Sequence, residues 1–185
     1  MGVAVKFTML FLSTYSSSLQ ESPASTAACQ AQYKPFSQSA KSLFAEVAPL
    51  AGVPRSWAYS SGLHSILSQE SEGLVGVPNY SIKDQYGKPA KNNPELWSGI
   101  HHLIRQGEKG SSRASSSATG LGQLLATNAD TFYPSGRVGI GDCREEAVGM
   151  LRYIKAAYGS PSKAWNCYGK ISKNYCSGKR FKEGY

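Results

Sequence analysis

The four cysteines of this chain include no Cys-x-x-Cys pair, which argues against a zinc site. Its three histidines, His64, His101 and His102, show no metal-ligand spacing, and no metal is expected. The adjacent pair cannot both face one site on a helix, so both read as surface residues. No apolar run is long enough to span a bilayer, so no transmembrane segment is expected. No stretch alternates strongly in hydropathy and no segment repeats, so an extensive sheet and a solenoid both drop out. Acidic residues are scarce: 12 against 20 lysines and arginines, a formal charge of +8. The resulting pI near 9.3 predicts attraction to a polyanion, whether nucleic acid, an acidic membrane surface or an acidic cell wall. The basic residues are scattered rather than gathered on one helix, so a nucleic-acid partner is not expected.

What is present fits one helical domain and an arm. The 185 residues suffice for a single core, and the mean hydropathy of −0.34 is that of a globular chain. Residues 1–36 differ from the rest. Lys6 precedes a short apolar run, 7–12, and residues 13–28 are rich in Ser, Thr and Ala. The segment reads either as a secretory signal cleaved near Ala27 or Ala28, or as an arm that docks on a partner. Cys29, Cys143, Cys167 and Cys176 allow three pairings, of which Cys167 with Cys176 closes the shortest loop. In an oxidising compartment a disulfide is expected there; in a reducing one these are buried thiols.

Apolar spacing predicts helices over 39–50, 57–71, 95–105, 122–132, 144–158 and 161–168. Ser56 is a candidate cap for the second. Pro94 opens the third, and Asp142 with Glu145 forms a capping-box-like start for the fifth. Gly159 closes the fifth, and Ser160-Pro161 opens the last. Residues 73–93 and 107–117 read as loops, with short strands as an option over 75–82.

The unusual stretch is LHSILSQESE, residues 63–72. Leu63, Ile66 and Leu67 form one helical face, and that face runs on to Glu70. A carboxyl group at the end of an apolar stripe is penalised when ionised, which raises its pKa and suits a proton donor near neutral pH. Glu72 points roughly 200° away round the helix. A second stretch, SSATGLGQLL, 116–125, places glycines either side of Leu121 and a glutamine after them. Glycine lets a backbone approach a ligand, and Gln123 offers both donor and acceptor. Leu125 stands where a dinucleotide fingerprint needs a third glycine, so that cofactor is excluded and none is expected. A third stretch, AWNCYGK, 164–170, sets Trp165 and Tyr168 on one helix face beside Asn166, a combination suited to sugar faces and hydroxyls.

In this order, Glu70-Ser71, then Ala118, Gly120, Gly122, Gln123 and Leu124, then Gly149, Tyr153 and Ile154, then Ala164, Trp165 and Asn166, the chain resembles the lytic transglycosylase domain of the soluble-lytic-transglycosylase type. Residues 152–165 look especially like the copies carried by bacteriophage virion and tape-measure proteins. The resemblance covers about residues 37–185. It implies a mainly α, lysozyme-like fold, with a short β-hairpin near the cleft as an option. It implies cleavage of the β-1,4 bond between N-acetylmuramic acid and N-acetylglucosamine in peptidoglycan glycan strands, with Glu70 catalytic. Ser71, Gln123, Tyr153, Trp165 and Asn166 would position Glu70 or line the substrate site. A virion-associated location, acting in the host periplasm and cell wall, follows from the phage likeness; a secreted or periplasmic bacterial protein is the alternative. Virion or tail proteins would be met through the arm and residues 83–117.

Two departures stand out. The span between Glu70 and Gly120 is longer than is usual, so 83–117 is expected to be an inserted flap or docking surface. Trp165 stands where many members carry tyrosine, so a hydroxyl beside Glu70 is either missing or supplied by Tyr153 or Tyr168. Two rival readings remain. A goose-type muramidase would need a second carboxylate, for which Glu72, Asp84 and Glu95 are the candidates. A structural virion or wall-binding protein would keep the fold with little activity.

Overall fold

The computed structural model describes residues 28–107 and 116–168. It is mainly helical: α1 (Gln38–Val47), α2 (Ser61–Glu70), α3 (Trp97–Arg105), α4 (Ala126–Phe132), α5 (Cys143–Tyr158) and α6 (Pro161–Cys167), joined by loops and short 3₁₀ turns. The extended pairings among the described residues are isolated antiparallel bridges, such as Gln32 with Leu74, Pro78 with Thr119 and Lys83 with Pro89. The Lys83–Pro89 bridge closes a turn in which Asp84 Oδ1 accepts from the backbone N–H groups of Tyr86 and Lys88 at 2.9 and 2.8 Å.

Local chemistry explains the helix ends. Ser37 caps α1 through a bond from the Ala40 amide, and Asp142 caps α5 by accepting from the amides of Arg144 and Glu145. The reciprocal half of a capping box does not form, because the Glu145 carboxylate accepts from Ser135 N instead. Gly159 ends α5 in the left-handed conformation, φ 78°. Ser160 and Pro161 open α6, with the Ser160 hydroxyl accepting from Lys163 N. The helix expected over 57–71 is divided. Residues Arg55–Tyr59 form a 3₁₀ turn, Ser60 is extended, and α2 begins only at Ser61. The helix expected from Gly122 starts at Ala126, because Gln123 takes φ 46° and bends 120–124 into a turn.

Two apolar clusters make the interior. In one, Phe44 of α1, Leu63, Ile66 and Leu67 of α2, and Met150, Leu151 and Ile154 of α5 are buried together. Each such side chain contributes about 1.5–3 kcal/mol by leaving water. In the other, Ile100 and Ile104 of α3 meet Ile82, Ala129, Tyr133, Ile140 and Tyr153. The described part of the 83–117 segment is therefore packed onto the domain through α3.

Residues of the N-terminal arm join the same body. Tyr33 is buried in the first cluster, and its N–H donates to Gly73 O at 2.8 Å while Val75 N–H donates to Ala31 O at 3.0 Å. A disulfide links Cys29 to Cys143, across 114 residues of sequence. Cys167 is disulfide-bonded as well; Cys176, the partner expected from loop length, lies outside the described residues, as do the signal-like segment 1–27 and residues 169–185.

Candidate active site

Glu70 is the last residue of α2, carried there by the stripe Leu63, Ile66 and Leu67, each fully buried. Its carboxyl is only partly buried. Burial pushes it up to about 7, against the pull of a hydrogen bond donated by the Tyr168 hydroxyl. Two more tyrosines, Tyr153 and Tyr158 of α5, feel the Glu70 charge, and burial with that charge holds both phenols above their ordinary range. The rings of Tyr153 and Tyr158 meet edge to face at 6.4 Å, and Trp165 stacks on Tyr168 at 5.4 Å. Glu70 thus sits in an aromatic corner, its carboxyl raised by burial to about 7 and Tyr168 acting on it from the end of α6.

The residues that follow Glu70 hold the backbone. Ser71 is buried; its hydroxyl donates to Leu121 O at 2.9 Å and accepts from Gly73 N at 3.1 Å. It orients the main chain on which Glu70 stands. Glu72 follows with φ 54°, a conformation rare for a residue with a side chain, and its own side chain is exposed. Gln123 also has positive φ and is buried. Its Nε2 donates to Val77 O at 2.9 Å and Gly120 O at 3.2 Å, and its Oε1 accepts from Asn79 Nδ2 at 3.3 Å. Its polar atoms are engaged in joining the 76–79 and 120–123 turns. Trp165 and Asn166 lie on the exposed side of α6. Of the residues singled out from the sequence, the structure therefore brings Tyr153 to Glu70 and Trp165 next to it through Tyr168, while Ser71 and Gln123 serve the turns around it.

The core also holds a carboxylate that the sequence alone does not single out. Glu146 of α5 is fully buried and accepts backbone N–H bonds from Gly76 at 3.1 Å, Leu121 at 3.0 Å and Gly141 at 2.8 Å. Burial pushes it up and the amides pull it back, leaving it at about 7. Gly120 is required beside it: its φ is 76°, and a Cβ there would stand 2.4 Å from the Glu146 carboxyl carbon. The signal that flags Glu70 also flags Glu146, which shares a helix face with the buried Met150 and Tyr153.

His64 and His101 are structural. His64 Nδ1 accepts from Phe36 N at 3.1 Å, so Nε2 carries the proton and donates to Ala58 O at 2.8 Å; burial holds the ring neutral. His101 is not at the surface as expected. It is buried, with Nε2 2.6 Å from Gly76 O, because α3 packs this face against the Gly76 turn; His102 is exposed. Cys29, Asp142 and Cys143 are grouped closely enough for a metal, but both sulfurs are held in the disulfide. Comparison of the chain with protein-family models, with curated proteins and with solved structures gives no match.

Proposed function

We propose that this chain is a peptidoglycan lytic transglycosylase of lysozyme-like fold, with Glu70 as its proton donor and acceptor. One observation carries the reading. A single carboxyl at the end of an apolar helix, partly buried and held near 7, has an aromatic corner around it and a phenol donating to it. A group with that pKa is available both as acid and as base at neutral pH.

In the proposed reaction, protonated Glu70 donates to the glycosidic oxygen between N-acetylmuramic acid and N-acetylglucosamine. The bond to the anomeric carbon breaks, and the substrate's own N-acetyl group covers the charge that develops there. Ionised Glu70 then takes the proton from the muramic acid C6 hydroxyl. Its oxygen closes on the anomeric carbon as a 1,6-anhydro ring, and Glu70 returns to its acid form. Trp165 offers a flat, partly exposed face for a sugar ring next to Tyr168. The donor amide of Gln123 holds the turn through Val77 O and Gly120 O.

Among the carboxylates that a hydrolase could use to hold water, Asp84 closes its own turn, while Glu72 and Glu95 are exposed. The ends of the cleaved glycan decide between lyase and muramidase. A disulfide is at home outside the reducing cytosol, which suits a protein acting in the periplasm or cell wall, from a phage particle or by secretion. The exposed Tyr80 and Tyr86 beside Lys83, Lys88 and Lys91 suit contact with an acidic wall polymer or a virion partner.

The test is digestion of purified sacculi by the protein and by Glu70→Gln, with the glycan ends read by mass spectrometry. Anhydro ends from the first and none from the second are expected. Reducing ends would replace the lyase by the muramidase, and equal clearing by both proteins would remove Glu70 from the chemistry.

A further inference from the structure

The proposed reaction gives no task to Glu146, although its fully buried carboxylate is bonded from three separate stretches of chain. Oε1 accepts from Gly141 N at 2.8 Å and Oε2 from Leu121 N at 3.0 Å, while Gly76 N stands 3.1 Å from both oxygens. The residue lies in the first turn of α5, where the positive end of the helix also favours an acid. Burial opposes the charge; the amides and the helix end offset it.

Gathering three main-chain segments round one carboxyl needs residues without side chains. Gly76 and Gly141 take φ 69° and 90°. A Cβ on Gly76 would stand 2.6 Å from His101 Cε1 and 3.2 Å from Gly141 Cα, and one on Gly141 would stand 3.1 Å from His101 Nδ1. The titratable and charged groups around the cluster are His101 and Arg105 of α3, Tyr133 after α4 and Asp142 before α5. His101 Nε2 bonds Gly76 O at 2.6 Å, and Arg105 donates to Ile140 O.

From this cluster the bonds run to both parts of the candidate site. Leu121 gives its N–H to Glu146 and its carbonyl oxygen to the Ser71 hydroxyl at 2.9 Å, and Ser71 follows Glu70 in the chain. Beside Gly76, Val77 O accepts from Gly120 N and from Gln123 Nε2, each at 2.9 Å. The turn that ends in Gln123 is thus tied to one carboxyl twice, through Leu121 and through the chain after Gly76.

We propose that Glu146 is a positioning residue of the site, its carboxylate setting the spacing between the chain that leaves Glu70 and the turn that ends in Gln123. This rests on reading Glu70 as the proton donor. Glu146 acts through Leu121 and Ser71 and moves no proton of the reaction. In Glu146→Gln one oxygen becomes an NH2 group, so Leu121 or Gly141 faces a donor where it had an acceptor. A displacement of about 1 Å at a reacting group costs up to roughly a hundredfold in rate.

The experiment compares the full chain, Glu146→Gln and Val47→Ala, which loosens the buried face of α1 away from the cluster. Each is assayed on soluble glycan strands at a temperature where near-ultraviolet circular dichroism shows it folded. In Glu146→Gln kcat is expected to fall roughly tenfold to a hundredfold with KM little changed, while Val47→Ala keeps the parent kcat. If Glu146→Gln does not fold, Glu146→Asp, which keeps the charge and withdraws it by one methylene, carries the same comparison. A kcat equal to that of Val47→Ala makes Glu146 an ordinary core residue and overturns the positioning role. A second measurement needs no substrate. In the 15N-labelled parent the amides of Gly76, Leu121 and Gly141 should shift with pH on one shared midpoint, that of the carboxyl they bond. Three unrelated midpoints would overturn the gathering of these segments by Glu146. A shared midpoint in a chain that cleaves no glycan would sink the transglycosylase reading and leave the Glu146 cluster intact.

Discussion

The hydroxyl of Ser71 donates to the carbonyl oxygen of Leu121 at 2.9 Å, tying the residue after Glu70 to the turn that ends in Gln123. Fifty residues of chain separate the two, and the bond is buried. It makes the end of α2 and the 120–124 turn one unit. Ser71→Ala would leave the Leu121 carbonyl and the Gly73 amide short of a partner. A loss of about 1–3 kcal/mol in urea unfolding is expected. A variant as stable as the parent would show that this link is replaceable.

In the proposed reaction Glu70 sets the pH dependence. As the proposed acid of the first step it must be protonated, and burial raises it to about 7. Clearing of sacculi is therefore expected to fall above about pH 7 along a single ionisation. A rate still rising at pH 8.5 would assign the proton to another group.

Stability should depend on pH in the opposite sense to an ordinary surface carboxylate. Burial raises Glu70 and Glu146 from 4.5 to about 7, so the folded state holds protons that the unfolded chain releases. The contribution of these groups is complete below about pH 4.5 and is lost as pH rises through 7. The denaturation midpoint is expected to decline across that window, and to decline less in Glu70→Gln/Glu146→Gln. Equal slopes in both proteins would refute the assignment.

Gly120 and Glu146 form a second test of the frame. A methyl group at Gly120 would overlap the carboxylate that gathers the amides of Gly76, Leu121 and Gly141, at a backbone angle that already disfavours side chains. Gly120→Ala is expected to cost upwards of about 2 kcal/mol, from strain and from the amides it disturbs. Thermal unfolding measures it; a change under about 0.5 kcal/mol would mean the turn shifts freely.

The Cys29–Cys143 disulfide closes a loop of 114 residues, for which chain entropy gives about 4–5 kcal/mol. In Cys29→Ser/Cys143→Ser the amides of Tyr33 and Val75, which bond across the arm, should lose protection first in hydrogen exchange. Unchanged protection there would mean that Tyr33 anchors the arm without the disulfide.

The helices over 95–105, 144–158 and 161–168, the Asp142 cap, the Gly159 stop and the stripe leading to Glu70 were legible in the sequence, because each depends on neighbours within a turn or two of chain. The tertiary structure decided what those residues are for. Glu70 and Glu146 carry the same local signature, an acid on an apolar helix face. Only folding surrounds Glu146 with three backbone amides and leaves Glu70 partly open beside a phenol. The sequence left Tyr168 as one option beside Tyr153, and it took the parallel packing of α2 on α6 to bring its hydroxyl to Glu70. Gln123 looked like a sugar ligand, and its amide closes on Val77 and Gly120. His101 looked exposed, and the Gly76 turn covers it. In each case the partner lies far away in the chain. Local pattern reports which face of a helix is apolar, and it holds no information on which distant group that face will meet.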